Sequence, residues 1–202
     1  MGLSEKKAPL ILGVGGSPRQ GGNTEVLLER FLSGAAAGGA RTEMVLLRQT
    51  TVLACQGCER CRRDRRCTRL LDGMQDIYPK IMEARGLILG TPVHSHNLSA
   101  GLKAFLDRLY CFYDFSPERP RRAKSRLAGQ GRKALIYAVG EQREEAGLGV
   151  ALPAMALPLT SLGYEVMAEM AVPGFFDLGA VAKDQSLMDR AFAQGRRLAE
   201  AL

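Results

Sequence analysis

Apolar runs and helical stripes alternate along this chain. Residues 9–16, PLILGVGG, form an unbroken apolar run ending in glycines, the pattern of a strand covered on both faces of a parallel sheet. From about Asn23, Leu27, Leu28, Phe31 and Leu32 recur at helical spacing, and Gly38 and Gly39 close that helix. RTEMVLLR (41–48) alternates and then turns apolar, a second strand. LDGMQDIYPKIMEAR (71–85) is mostly helical, and GLILGTPV (86–93) is a third buried strand. Leu98, Leu102, Phe105, Leu106 and Leu109 predict a helix over 98–110, with Ser99 as its cap. RKALIYAVG (132–140) is a fourth strand, a proline-interrupted helical stretch covers about 145–162, YEVMAEMAV (164–172) is a fifth strand, and a last helix fills about 180–201.

Such alternation predicts an α/β fold: a doubly wound five-stranded parallel sheet with helices on both faces. The 202 residues, 46% of them hydrophobic, suffice for one domain of this kind. No repeat, low-complexity segment or linker divides the chain, so residues 1–202 are read as a single domain. Two irregular segments interrupt it, a cysteine-rich loop at 55–67 and a basic loop near 117–133. No apolar run reaches the length of a membrane span. The N-terminal MGLSEKKAPLIL lacks a long apolar core followed by a small-residue cleavage site. The expected setting is cytoplasmic, away from any membrane.

Charge sharpens the two irregular segments. The net charge is +7, and the excess lies in Arg60, Arg62, Arg63, Arg65, Arg66 and Arg69, and again in Arg119, Arg121, Arg122, Lys124, Arg126, Arg132 and Lys133. The second run reads as a solvated, flexible loop able to dock acidic partners. A nucleic-acid-binding protein is the rival class, but no reader motif or aromatic–basic stacking surface accompanies the charge.

In an open α/β sheet the ligand sits beyond the carboxyl ends of the strands. The loop after the first strand, GGSPRQGGNTE, offers a hydroxyl at Ser17, a guanidinium at Arg19, backbone freedom at Gly21 and Gly22, and short polar side chains at Asn23 and Thr24. These lead into a helix N-terminus, whose free N–H groups favour an anion such as a phosphate monoester. Two rival motifs fail. A dinucleotide fingerprint would need glycine where Pro18 stands and an acidic residue where Arg48 and Gln49 stand; a Walker A loop would need lysine and a hydroxyl residue where Gly22 and Asn23 stand. A glycine-rich turn that binds nothing is the remaining alternative.

The cysteine loop, CQGCERCRRDRRC, has the spacing C-x2-C-x2-C-x5-C through Cys55, Cys58, Cys61 and Cys67. Thiols packed this closely fit an iron–sulfur cubane, whose several irons each take one thiolate. A lone tetrahedral zinc more often takes two separated cysteine pairs. Reduced thiols or a labile disulfide are further readings. Cys111, alone in LYCFYDF, reads as a packed core residue.

Gly-Ser-Pro-Arg-x-Gly-Gly-Asn-Thr after the first strand resembles the phosphate loop of the NADPH-dependent FMN reductase family, a flavodoxin-like group. Gly90-Thr91-Pro92-Val93 and Leu102-Lys103-Ala104-Phe105-Leu106-Asp107-Arg108 resemble its second signature. The resemblance spans the chain in element order and implies that Ser17, Arg19, Gly22, Asn23 and Thr24 hold the FMN phosphate. It implies that Pro92, Val93, His94, Ser95 and Asn97 contact the flavin ring, and that Gly140 and Glu141 close its other side. The chain carries His94 where the family often has tyrosine. His94 and His96 are its only histidines, read as ring contacts or surface residues. The cysteine spacing resembles the iron–sulfur flavoprotein branch, which implies a [4Fe–4S] cluster near FMN, often across a subunit boundary. The implied protein is an FMN-dependent oxidoreductase, a homodimer or dimer of dimers, with an acidic carrier such as a ferredoxin as partner. Without a cluster, the expectation is an NAD(P)H-dependent flavin or quinone reductase. No catalytic side chain is expected, because FMN carries the chemistry.

Overall fold

The computed structural model describes residues 7–202, so the leader reading of the first six residues lies outside the described residues. Five parallel strands form the main sheet: β1 (Leu10–Gly15), β2 (Arg41–Leu46), β3 (Gly86–Pro92), β6 (Lys133–Val139) and β7 (Glu165–Val172). Their order is β2-β1-β3-β6-β7, the flavodoxin-like arrangement, with its switch point between β1 and β3. All five correspond to runs expected from the apolar pattern.

Helices cover both faces. Leu10, Leu12, Val14, Leu87 and Leu89 face one core with α3 (Met74–Glu83), α4 (Ala100–Arg108) and α5 (Ala151–Leu162). Ile11, Ile88, Leu135 and Tyr137 face the other, under α1 (Asn23–Ala37) and α6 (Gln185–Glu200). The strict alternation of faces along β1 and β3 is why each strand reads as a continuous apolar run. α1 and α6 meet backbone to backbone at Gly34 and Gly195, where a Cβ would lie 2.0 Å from Phe192 O and 1.9 Å from Phe31 O.

Caps and breaks refine the expected bounds. Ser99 caps α4, its hydroxyl accepting from Leu102 N at 3.3 Å. The expected helix over 71–85 starts only at Met74, because Asp72 turns the chain and accepts from Met74 N. The stretch over 145–162 divides into a 3-10 turn at Glu145–Leu148 and α5, and the last helix starts at Gln185, capped by Asp184.

The basic loop departs most from expectation. Tyr113–Phe115 (β4) and Ala123–Ser125 (β5) pair as an antiparallel hairpin. Arg132 is 3% exposed, and its guanidinium donates to Ile81 O, Ala84 O and Met82 O, closing the C-terminus of α3. Lys133 pairs with Glu165, and Arg126 donates to Arg65 O and Cys111 O at 2.7 Å each. Arg119, Arg121 and Arg122 at the tip are exposed, as expected of a solvated segment, whereas the solvated reading fails for Arg126 and Arg132.

Candidate functional site: a phosphate-binding cleft and a cysteine cavity

The loops after β1, β3, β6 and β7 meet over a cleft of about 360 Å³, within the range of small-molecule sites. Ser17, Arg19, Gly22, Asn23 and Thr24 line it from the first loop. Pro92, Val93 and His94 line it from the third strand's end, and Val139 and Glu141 from the fourth's. The N-cap of α1 is Gly22, which has no side chain to satisfy the helix's first N–H groups, and the only acidic residue of its first turn is Glu25. Glu25 is turned away from the cleft, accepting from Gly21 N at 3.1 Å and from Arg48 at 2.9 and 3.2 Å. An uncapped helix start beside Arg19 fits an anion, and the cleft's apolar wall fits a flat ring.

The floor is rigid. Gly16 N donates to Gly90 O at 2.8 Å, and Ser99 Oγ donates to Gly16 O at 2.6 Å. Ser99 N donates to Thr91 Oγ1 at 3.1 Å. Beneath them Tyr137 is fully buried, and its hydroxyl donates to Thr24 O at 2.6 Å. Position 90 must be glycine here, since a Cβ would fall 2.1 Å from the Tyr137 ring.

Not every expected residue lines this cleft. Ser95 and His96 take φ of 49° and 60°, forming a tight turn closed by paired His94 and Asn97 backbone bonds of 3.0 Å. Asn97 instead accepts from Leu98 N. Gly140 sits behind the wall, donating to Val172 O and accepting from Phe175 N. Asn23 is spoken for by its own chain: its amide donates to Asp177 O at 2.9 Å and accepts from Val181 N at 3.2 Å. Sequence reasoning missed the segment after β7, where Phe175 and Phe176 complete the wall. Arg19 donates to Phe176 O at 2.8 Å, with its guanidinium 5.4 Å from that ring. The aromatic pair following the last strand was the available signal.

A second cavity, of about 330 Å³, lies at the other end of α4. Cys55, Cys58, Cys61 and Cys67 all line it, with Arg60, Arg62, Arg69, Arg108 and Tyr110. All are free thiols; Cys55 and Cys58 are exposed, and Cys61 and Cys67 are half-buried. Burial first, and then the charges of Cys55, Cys67 and Cys58, push the Cys61 thiol above its ordinary value, against a backbone hydrogen bond that lowers it. No group of three or more His, Cys, Asp or Glu side chains among the described residues is arranged to hold a single metal ion. Four free thiols around one cavity are the donors that this wall offers. Cys111 is 3% exposed, and burial holds its thiol up at about 12.

Unexpected here is a short helix, α2 (Arg60–Asp64), bounded by Glu59 and Arg65 in left-handed conformation. The loop's arginines also do structural work. Arg62 donates to the Tyr110 hydroxyl at 2.6 and 3.0 Å and packs 4.8 Å from the Phe115 ring. Arg65 pairs with Asp114 of the hairpin at 3.0 Å. The aromatics of LYCFYDF thus meet the cysteine loop's arginines, a contact between the two irregular segments that the sequence reading did not anticipate.

Sequence comparison supplies the relationship. The sequence profile of the NADPH-dependent FMN reductase family matches residues 9–150, which include the cleft's loops after β1, β3 and β6 and the cysteine loop, but not Phe175 and Phe176. The chain belongs to this family. An iron–sulfur flavoprotein of Methanocaldococcus jannaschii is 38% identical over 98 residues, 48% of this chain and 50% of that protein. The match thus spans about half the length of that relative. An iron–sulfur flavoprotein of Archaeoglobus fulgidus is 26% identical over 207 residues, 94% of each chain. Among solved structures, an NAD(P)H:quinone oxidoreductase from Methanothermobacter marburgensis superposes with a TM-score of 0.68 over 96% of this chain and 98% of its own, at 16% identity. That likeness is one of fold.

Proposed function

We propose that this protein is an FMN-dependent oxidoreductase of the iron–sulfur flavoprotein type, with FMN in the cleft and a [4Fe–4S] cluster on Cys55, Cys58, Cys61 and Cys67. The carrying observation is that four free thiols line one cavity while an uncapped helix start and Arg19 line another, with α4 joining them. The names of the flavoprotein relatives support the same assignment. Bound FMN supplies reversible one- and two-electron chemistry, and the cluster supplies one-electron transfer.

The chain's residues bind and orient. The first-turn N–H groups of α1 and Arg19 take the phosphate. Pro92, Val93 and His94 form one ring wall, and Glu141, Phe175 and Phe176 the other. From Ser99 to Arg108 the rise of α4 is roughly 14 Å, which sets the scale of the separation within one chain. Assembly as a homodimer or dimer of dimers would let a second copy shorten that path. The exposed arginines of the hairpin tip would dock an acidic carrier such as a ferredoxin, beside NAD(P)H as a small donor.

A second reading, a plain NAD(P)H-dependent flavin or quinone reductase, is favoured by the exposure of Cys55 and Cys58. The visible spectrum of protein made with ample iron and kept anaerobic separates the two. Flavin bands with a broad iron–sulfur shoulder, and about four irons and four sulfides per chain, are expected. Flavin bands with less than about one iron would establish the plain reductase, and no flavin would defeat both.

A further inference from the structure

The last residue of α4 has one donor too many. Arg108 is 3% exposed. Its Nη1 donates to Asp72 Oδ2 at 2.6 Å and to Leu53 O at 3.0 Å, and its Nη2 donates to Asp72 Oδ1 at 3.0 Å. Its Nε–H has no partner. The other buried arginine Nε in this condition among the described residues is that of Arg126, which has Asp114 Oδ1 at 3.9 Å. A buried donor left unmade forfeits its full desolvation cost, so folded proteins rarely keep one without an acceptor. Arg108 is part of the wall of the cysteine cavity, and Cys67 is close enough to act on its charge. That Nε is closed off from solvent by the packed wall, so the acceptor it can meet belongs to the wall itself, and the wall's sulfur-bearing side chains are the cysteines.

We infer that Arg108 is a positioning residue for the cluster: its spare Nε–H donates to a cysteinyl sulfur of the loop, and its fixed charge raises the reduction potential. The inference rests on the cluster reading above. A cluster gains negative charge on reduction, so a buried cation and an N–H···S bond both favour the reduced form. Asp72 sets the geometry. Its two oxygens hold both terminal nitrogens of the guanidinium, which leaves Nε outside the fork. The same carboxylate accepts from Leu53 N at 2.8 Å, two residues before Cys55, so one side chain orients both the cation and the start of the cysteine loop.

The test uses anaerobic holoprotein. Pulsed EPR of the dithionite-reduced parent, grown with 15N-arginine, should show a weakly coupled arginine nitrogen. Arg108→Lys, which keeps the charge, should lose that coupling at parental iron content. In redox titrations Arg108→Gln should weaken reduction at least about tenfold, 59 mV for a one-electron couple. Asp72→Asn, which removes a negative charge from the same spot, should shift the potential the opposite way. A simple clamp on the loop would instead lower iron content in the Gln and Asn variants alike and leave the potential of the remainder unchanged, which would overturn the inference. Should Arg108→Gln fail to load, the labelled parent decides: a full cluster with no arginine coupling overturns the inference alone. A parent with less than one iron per chain overturns the cluster reading and this inference with it.

Discussion

The cleft and the cysteine cavity are similar in volume, yet they are built in opposite ways. The cleft stands on the carboxyl ends of four adjacent strands, and its floor is hydrogen-bonded before any ligand arrives. The cysteine loop has no regular structure from 51 to 59 and holds its shape through side chains: Asp72 and Arg108 on Leu53, Gln75 on Cys67 O, Arg62 on Tyr110. A sheet-borne site is organised by folding itself. A loop-borne thiol site of the proposed kind would be completed by what it binds, because metal affinity and loop order are then the same free energy.

The sharpest way to break this contrast is to remove one thiol. Any single change of Cys55, Cys58, Cys61 or Cys67 to alanine should abolish most bound iron and sulfide, while FMN stays bound through the separate cleft. Loss of both together would show that the two sites are one cooperative unit. Cys111→Ala should spare the iron, since Cys111 is buried in the core with its thiol held protonated.

Next comes the cleft. Arg19→Ala removes a charge-assisted contact of about 1.5–3 kcal/mol, so FMN affinity should fall about ten- to a hundredfold in fluorescence titrations. Riboflavin, which lacks the phosphate, should be nearly indifferent to the change. Equal losses for both flavins would show that Arg19 serves only to hold Phe176.

A smaller effect probes the rigidity of the floor. Gly90→Ala forces a Cβ into the Tyr137 ring, which is fully buried and cannot yield. Overpacking of this kind costs about 1–3 kcal/mol, readable as a lower denaturant midpoint with an unchanged slope. A neutral result would mean that the floor adapts as readily as the cysteine loop.

The smallest effect concerns the hairpin tip. Reversing Arg121 and Arg122 to glutamate should slow reduction by an acidic carrier at low salt and converge with the parent as ionic strength rises. Reduction of small acceptors should be unchanged. A salt-independent loss would show that the tip supports the cavity rather than a partner.

The sheet was legible because every central strand is buried on both faces and must be apolar throughout, a pattern that no tertiary detail can disguise. The first loop was legible for a related reason: Gly22 with no side chain at the helix start, beside Arg19, is a local arrangement that the chain makes wherever that helix packs. The hairpin was hidden, since three-residue strands carry too little periodicity to stand out from a charged segment. The destinations of side chains were hidden altogether. Arg132 and Arg121 look alike in sequence, yet one closes a buried helix end 51 residues away and the other is exposed. Asn23 reads as a phosphate ligand until the segment after β7 arrives to take its amide. Local composition by itself determined the run of strands, the thiol group and the glycine-rich turn at the start of α1, because each is written within a few consecutive residues. Only the tertiary structure decided which arginines are committed and that Arg108 shares a cavity wall with the cysteines, because those partners come from distant segments brought together by the packing of α3 and α4 on the sheet.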